Sequence, residues 1–218
     1  MNKILFFGNG IRAGAVPCDE KTVCGFFNWK PTSQEKELAE NPAKLKQYVL
    51  KKLENMPSDA RAFIEKTEEE SLISAPLRYR HPWDLMMGNI SKGNVCIAGD
   101  ALHPMTPDLG QGGCCALEDG VVLARCLAEA FSKEAGRDMK EKDEEEVHYK
   151  RIEESLKKYA RERRWRSIDV TATDYMLGRI QQTESKIVTF LRENILATFL
   201  ASQILNKTGY DCGTLNSS

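Results

Sequence analysis

No window of this sequence strings together the roughly 18 uninterrupted apolar residues that a membrane span requires, although residues 187–205 come closest. Also lacking at the amino terminus is a charged leader followed by a long apolar stretch, so nothing there reads as a secretion signal. Excess charge of either sign is missing. Across 218 residues, 31 Lys and Arg face 32 Asp and Glu, so no overall field draws the chain toward nucleic acid or an anionic membrane. The 7 cysteines (18, 24, 96, 114, 115, 126 and 212) contain no CxxC pair and no Cys/His spacing suited to zinc. Their odd number argues against a secreted disulfide scaffold. The expected setting is therefore a reducing, intracellular one, the cytoplasm in preference to a plastid. Internal repeats and low-complexity segments are absent as well. What is present is a hydrophobic content of 41%, enough to fill the core of one soluble globular domain or two small ones.

The opening stretch, KILFFGNGIRAGAVP, poses a choice between a dinucleotide-binding glycine turn and a hairpin. A dinucleotide turn needs a helix starting at its glycines, because the helix N-terminus binds the diphosphate. Here Gly8, Gly10 and Gly14 are followed by Pro17, which denies a helix both a donor and its geometry. The β-branched and aromatic run Thr22 to Trp29 follows at once. The segment predicts successive antiparallel strands joined by a Pro-Cys-Asp-Glu turn, in preference to a phosphate loop.

Further on, Asn41-Pro42 has the form of a helix start. Leu45, Tyr48, Val49, Leu53 and Met56 recur at helical spacing up to Pro57. Ser58 and Asp59 can start a second helix, the glutamates 68–70 read as a solvated loop or helix end, and residues 71–80 read as extended. Asn94 to Ala98 is a continuous apolar run, the pattern of a strand covered on both faces. Cys114 to Phe131 predicts a helix that buries Leu117, Val121, Ala124, Ala128 and Phe131. Residues 141–166 are densely charged with mixed signs, the pattern of an exposed helix. Its basic end, Arg161 to Arg166, reads as a packed helix with snorkelling arginines in preference to a nucleic-acid patch. From Ile168 to Leu205 the helical pattern continues. Residues 187–205 read as core packing, with docking on a membrane surface as the lesser alternative.

The stretch richest in chemistry is NVCIAGDALHPMTPDLGQGGCCALEDG, residues 94–120. A strand ends at Gly99-Asp100, a proline-punctuated loop follows, and Gly110-Gln111-Gly112-Gly113 leads straight into a helix. Ligands of α/β folds collect at such strand ends. The Asp100 carboxylate suits a polyol hydroxyl, the glycines allow a flat ligand against the main chain, and the helix start favours negative charge. An inert turn with a flexible helix entry is the plainer alternative. Cys114 and Cys115 read as packing residues before acidified thiols, and His103 as a loop-shaping residue before a proton shuttle. No side chain stands out as a catalytic acid or base, and no metal site is expected.

This stretch resembles the second flavin-contacting motif of the FAD-dependent aromatic hydroxylases, the para-hydroxybenzoate hydroxylase-like monooxygenases. The matched positions run Gly99-Asp100, His103, Pro104, Pro107, Gly110, Gly112, Asp119 and Leu123. Its wording and the ending TGYDCGTL are similar to plant members related to zeaxanthin epoxidase. The resemblance implies that Gly99 and Asp100 hold the ribityl chain. It places Pro107, Leu109, Gly110, Gln111, Gly112, Gly113 and Cys114 along the isoalloxazine ring. Cys114 stands where the family usually has Asn, which leaves only the main-chain contact there. The implied fold is α/β (α+β): residues 1–80 as the remainder of an antiparallel substrate domain, and residues 81–218 as part of a Rossmann-like FAD domain with C-terminal helices. The implied reaction uses FAD, NAD(P)H and O2 to oxygenate a small apolar or aromatic substrate. The family's N-terminal diphosphate turn has no counterpart here, so the expectation is a truncated form. A catalytically inactive paralogue acting as an interaction protein is the alternative.

Overall fold

The computed structural model describes residues 4–8, 11–29, 41–54, 58–132, 141–181, 207 and 209–214. The chain divides into two compact units. One comprises Met1–Pro76 with Arg179–Asn194, the other Leu77–Gly178 with Ile195–Ser218.

The first unit holds an antiparallel sheet of β1 (Ile4–Gly8), β2 (Ile11–Pro17) and β3 (Val23–Trp29), in that order. Gly8 pairs with Ile11, so the chain reverses there and no helix follows the glycines. Pro17 closes β2 opposite Val23, at the end of the ladder. The turn is built by Asp19, whose carboxylate accepts the amides of Lys21 at 2.7 Å and Thr22 at 2.6 Å. These hydrogen bonds to the charged form lower the pKa of Asp19.

Helix α1 (Pro42–Lys52) begins as its sequence dictates. The Asn41 side chain accepts the Lys44 amide at 3.1 Å and Pro42 sits in the first turn. Leu45, Val49 and Leu53 are buried with Ala60 and Ile64 of α2 (Ser58–Lys66), and Phe27, Trp29 and Tyr48 pack against them. Met56 of the expected stripe lies outside the described residues. Lys46 donates to the Thr67 carbonyl, joining the start of α1 to the end of α2. Gly25 of β3 lies under the Phe63 ring of α2, which occupies the space a Cβ would need. A single 3-10 turn at Glu69–Ser71 accounts for the glutamate run.

The second unit contains α3 (Pro82–Met87), the two-residue strands β4 (Ser91–Lys92) and β5 (Val95–Cys96), α4 (Gly112–Phe131) and α5 (Glu141–Gln181) as far as Gly178. Its core joins Leu85, Ile90, Leu102, Val122, Cys126 and Tyr159. The architecture is thus mixed helix with small antiparallel sheets. The apolar run 94–98 is not the doubly covered strand its composition suggests. Only Val95 and Cys96 join a ladder, they pair antiparallel with β4, and Val95 is 70% exposed. Among the described residues no further strand flanks it, and a strand is covered on both faces only within a wider sheet.

Both long helices present faces other than those expected. In α4 the buried residues are Cys115, Glu118, Asp119, Val122, Cys126 and Ala130. Leu117 is 74% and Phe131 59% exposed. Helix α5 spans what read as two segments, and it buries a stripe through Leu156, Tyr159, Arg163, Val170, Asp174 and Leu177. Two arginines of its basic stretch do not snorkel. Arg164 reaches the carbonyls of Leu85, Met86 and Gly88 at the end of α3, and Arg163 is wholly buried. The segment 187–205 lies outside the described residues. Among the described helices none is long and apolar enough to cross a membrane.

Replacing Asn41 with Ala removes the cap of α1, and the expected loss is about 1 kcal/mol of stability. Urea unfolding of the variant tests this, and an unchanged midpoint would contradict it.

Candidate cofactor site

The turn after β5 is a short 3-10 segment, Gly99–Ala101, whose first residue has φ +56°, a left-handed conformation that favours glycine. The Gly99 amide donates to Asp119 Oδ2 at 2.7 Å, and the Gly99 carbonyl accepts the amides of Leu102 and His103 at 2.9 Å each. A Cβ at Gly99 would stand 3.5 Å from that of Ala116. The turn is therefore held against the second turn of α4. Asp100 is exposed beside it.

Asp119 is the centre of this arrangement. It is fully buried, and its Oδ2 also receives Nε2 of the fully buried His103 at 2.7 Å. Oδ1 receives Arg163 Nε at 2.5 Å. Arg163 also donates to Glu118 at 2.9 Å and to the Cys115 carbonyl at 3.2 Å. Glu118 takes a two-pronged contact from Arg166 at 2.6 and 2.9 Å. The Tyr210 ring lies 4.9 Å from both guanidinium carbons. Burial by itself favours the neutral acid at Asp119. The hydrogen bonds from His103 and the Gly99 amide outweigh it and lower the pKa. At Glu118 burial is likewise overcome, here by the Arg166 and Arg163 hydrogen bonds. His103 is a structural strut, in keeping with a loop-shaping role.

The loop that follows is tied down on both sides. The Arg80 amide and guanidinium donate to the carbonyls of Pro104 and Leu102, each at 2.9 Å. The Leu109 amide donates to Asp174 Oδ1 at 2.7 Å. The Leu109 side chain is buried with Cys115, Val170 and Leu177, so both its side chain and its N–H are already occupied. Beyond it the main chain opens. Gly110 has φ +71°, and a Cβ there or at Gly113 would meet nothing within 4 Å. Gly112 is closer packed, 3.6 Å from Met105 Cγ by the same measure. Pro107 and Cys114 are exposed and Gln111 is half-buried.

Helix α4 starts without a side-chain cap, and its first turn carries no acidic residue. Its leading amides and the positive end of its dipole thus face the open glycine surface. A bare main-chain surface ending in uncapped donors fits a flat ring with an electronegative carbonyl edge, and the residues present fit the isoalloxazine of a flavin. Cys115 is no acidified thiol. Burial first, then the charge of Glu118, pushes it up to about 11. A surface groove of about 460 Å³ beside Asn94, His148, Tyr149 and Ile152 shares no residue with this loop.

The site residues named from sequence are thereby brought together on one turn, one loop and one helix start. Arg163, Arg166, Arg80 and Asp174, which hold them in place, were not singled out. Arg163 and Arg166 were legible only as part of a basic cluster on a packed helix, and Asp174 and Arg80 as single charges with no pattern around them.

Two outcomes follow from the buried ion pairs. Arg163→Met leaves Asp119 and Glu118 buried without their shared cation, and the expected loss is roughly 3–5 kcal/mol in urea unfolding; a loss under about 1 kcal/mol would contradict it. Folded-state pKa values of Asp119 and Glu118 lie below the unfolded ones. Their ionisation therefore stabilises the fold above about pH 4. That contribution disappears as the pH falls through the folded values, so Tm is expected to drop below about pH 4, and less steeply in Asp119→Asn.

A family model described as an FAD binding domain matches residues 16–157. The chain is 48% identical over 210 residues to Monooxygenase 2 of Arabidopsis thaliana, covering 96% of this chain and 51% of that protein. It is 38% identical over 162 residues to Monooxygenase 1 of the same plant, covering 74% and 40%. The chain thus spans about half the length of the curated relatives it matches. In fold it is similar to Klebsiella pneumoniae HpxO, solved in complex with FAD and uric acid, with TM-score 0.69 and 22% identity over 94% of this chain and 47% of that one. The chain belongs to the FAD binding domain family.

Proposed function

We propose that the second unit holds the isoalloxazine and ribityl portion of FAD in an NAD(P)H-dependent monooxygenase acting on a small apolar or aromatic substrate. The observation that carries this reading is the open main-chain surface at Gly110 and Gly113, which ends in the uncapped start of α4. Around it, Asp100 would hold ribityl hydroxyls, and the main chain from Pro107 to Cys114 would lie along the ring. When bound, FAD would supply the redox chemistry, in which NAD(P)H is oxidised, one atom of O2 enters the substrate and the other leaves as water.

The chain's own contribution is positioning and electrostatics. The α4 dipole, equivalent to roughly half a positive charge, stabilises negative charge at the carbonyl edge of a ring placed there. The Asp119 network keeps the Asp100 turn and the helix start in fixed relation, so little reorganisation is needed when charge develops. The antiparallel sheet β1–β3 excludes a diphosphate turn at Gly8 and Gly14, so the described residues offer the ring and ribityl half of a flavin site. Riboflavin, which lacks the diphosphate and adenosine, therefore contains the part of FAD that these residues recognise.

Gly113 gives a clean test, because it is exposed and a Cβ there meets nothing within 4 Å. Gly113→Leu is expected to leave thermal stability unchanged or raise it, since glycine disfavours helix by about 1 kcal/mol. The same substitution is expected to weaken riboflavin binding at least about tenfold in fluorescence-quenching titrations, because the side chain fills the surface the ring needs. Unchanged riboflavin affinity in Gly113→Leu, or no riboflavin binding by the wild-type chain, would overturn the reading. The second result would favour a non-enzymatic interaction protein.

A further inference from the structure

The glycine loop is joined to α5 by a second buried polar cluster, distinct from the Asp119 network. Asp174 of α5 is 1% exposed and Asp108 of the loop 7%. Asp174 Oδ1 accepts the Leu109 amide at 2.7 Å. Thr106 Oγ1 lies 2.5 Å from Asp174 Oδ2 and 2.6 Å from Asp108 Oδ2. Gly178, one turn further along α5, makes the approach possible, because a Cβ there would collide with the Asp108 carboxylate. Val170 and Leu177 lie on the same face of α5 and pack with Leu109 and Cys115.

Proton counting restricts the chemistry of this cluster. A threonine hydroxyl carries one hydrogen, and ionised carboxylates only accept. At these separations a single hydrogen cannot serve both carboxylates. One retained proton completes the chain: the neutral carboxyl donates to Thr106 Oγ1, and Thr106 donates to the ionised partner. Burial, reinforced by the charge of Asp108, raises the pKa of Asp174, the direction that favours Asp174 as the member of the pair holding that proton. Asp108 of the loop faces it across Thr106, and the Cys115 thiol of α4, its own pKa raised to about 11, packs with the neighbouring Leu109.

We propose that Asp174 is a positioning residue for the flavin-facing loop. Through the Leu109 amide and the Thr106 hydroxyl it fixes the course of the main chain into Gly110, and so sets where the open glycine surface points. This role rests on the flavin reading above and deepens it: the loop that recognises the ring is aligned by a helix remote in sequence. Asparagine satisfies the same geometry, with its carbonyl accepting from Leu109 and its amide N–H standing in for the retained proton. Alanine supplies neither.

The test uses the full 218-residue chain carrying Asp174→Asn, Asp174→Ala or Thr106→Val, read by NMR hydrogen exchange at the Leu109 amide and by riboflavin titration. Asp174→Ala is expected to speed Leu109 exchange and to weaken riboflavin binding by about tenfold or more, while Asp174→Asn stays within about twofold of wild type in both. Should Asp174→Ala not fold, Thr106→Val, which preserves shape, is expected to weaken riboflavin binding by about fivefold. The proposal is overturned if Leu109 remains as protected in the alanine variant as in wild type. It is also overturned if asparagine fails as fully as alanine, or if Thr106→Val binds riboflavin as wild type does. The exchange arm needs no flavin, so failure of the anchor is seen there alone. A wild-type chain that binds no riboflavin overturns the flavin reading and this role with it.

Discussion

The second unit depends on one buried ion pair, Arg163 with Asp119. Neither side chain retains contact with water, and removing two charges from water costs several kcal/mol per ion unless nearly every polar atom finds a partner. Here the partners are what give the unit its shape. Asp119 takes the His103 ring and the Gly99 amide as well as the guanidinium, and Arg163 takes Glu118 and a carbonyl of α4 as well as the carboxylate. Satisfying this charge fixes the rotation of α4, the register of α5 against it and the turn that carries Asp100. The terminal segment joins the same centre, with Tyr210 over both arginines and the Lys207 carbonyl accepting from Arg166.

Around that centre the candidate site is almost entirely main chain. Glycine at 99 and 110 permits left-handed backbone, and glycine at 110 and 113 leaves a surface without side chains. The uncapped start of α4 supplies donors and a fixed dipole. Such a surface cannot hold its own form, because glycine loses more conformational freedom on ordering than any other residue. The neighbouring anchors therefore matter: Arg80 on the Leu102 and Pro104 carbonyls, Asp174 on Leu109, and Asp119 on Gly99. A rigid frame of charged side chains around a bare backbone lets recognition occur with little reorganisation.

Local rules made much of the first unit legible. Pro17 after the glycines, the Asp19 turn and the Asn41-Pro42 helix start each act within a few residues, and each is found where its chemistry placed it. The site motif was legible for the same reason, since Gly99-Asp100 and the glycines before α4 are contiguous. The faces of α4 and α5 were not legible. Hydrophobic spacing selected Leu117 and Phe131, yet the buried side carries Glu118 and Asp119. A mixed-charge helix looks the same whether its charges meet water or one another. The run at 94–98 failed for a related reason, because apolar composition records a tendency to be covered and not which elements cover it.

The sequence by itself determined the punctuation of the chain: where strands reverse, where helices start, and which glycines leave the backbone bare. These depend on φ limits, missing donors and side-chain caps that act over three or four residues. Tertiary structure alone decided which charges became buried partners and which helix anchors the glycine loop. Arg163 and Asp119 are 44 residues apart, and Asp174 and Leu109 are 65 apart. The free energy of a buried charge is set by what surrounds it in space, which no local pattern along the chain encodes.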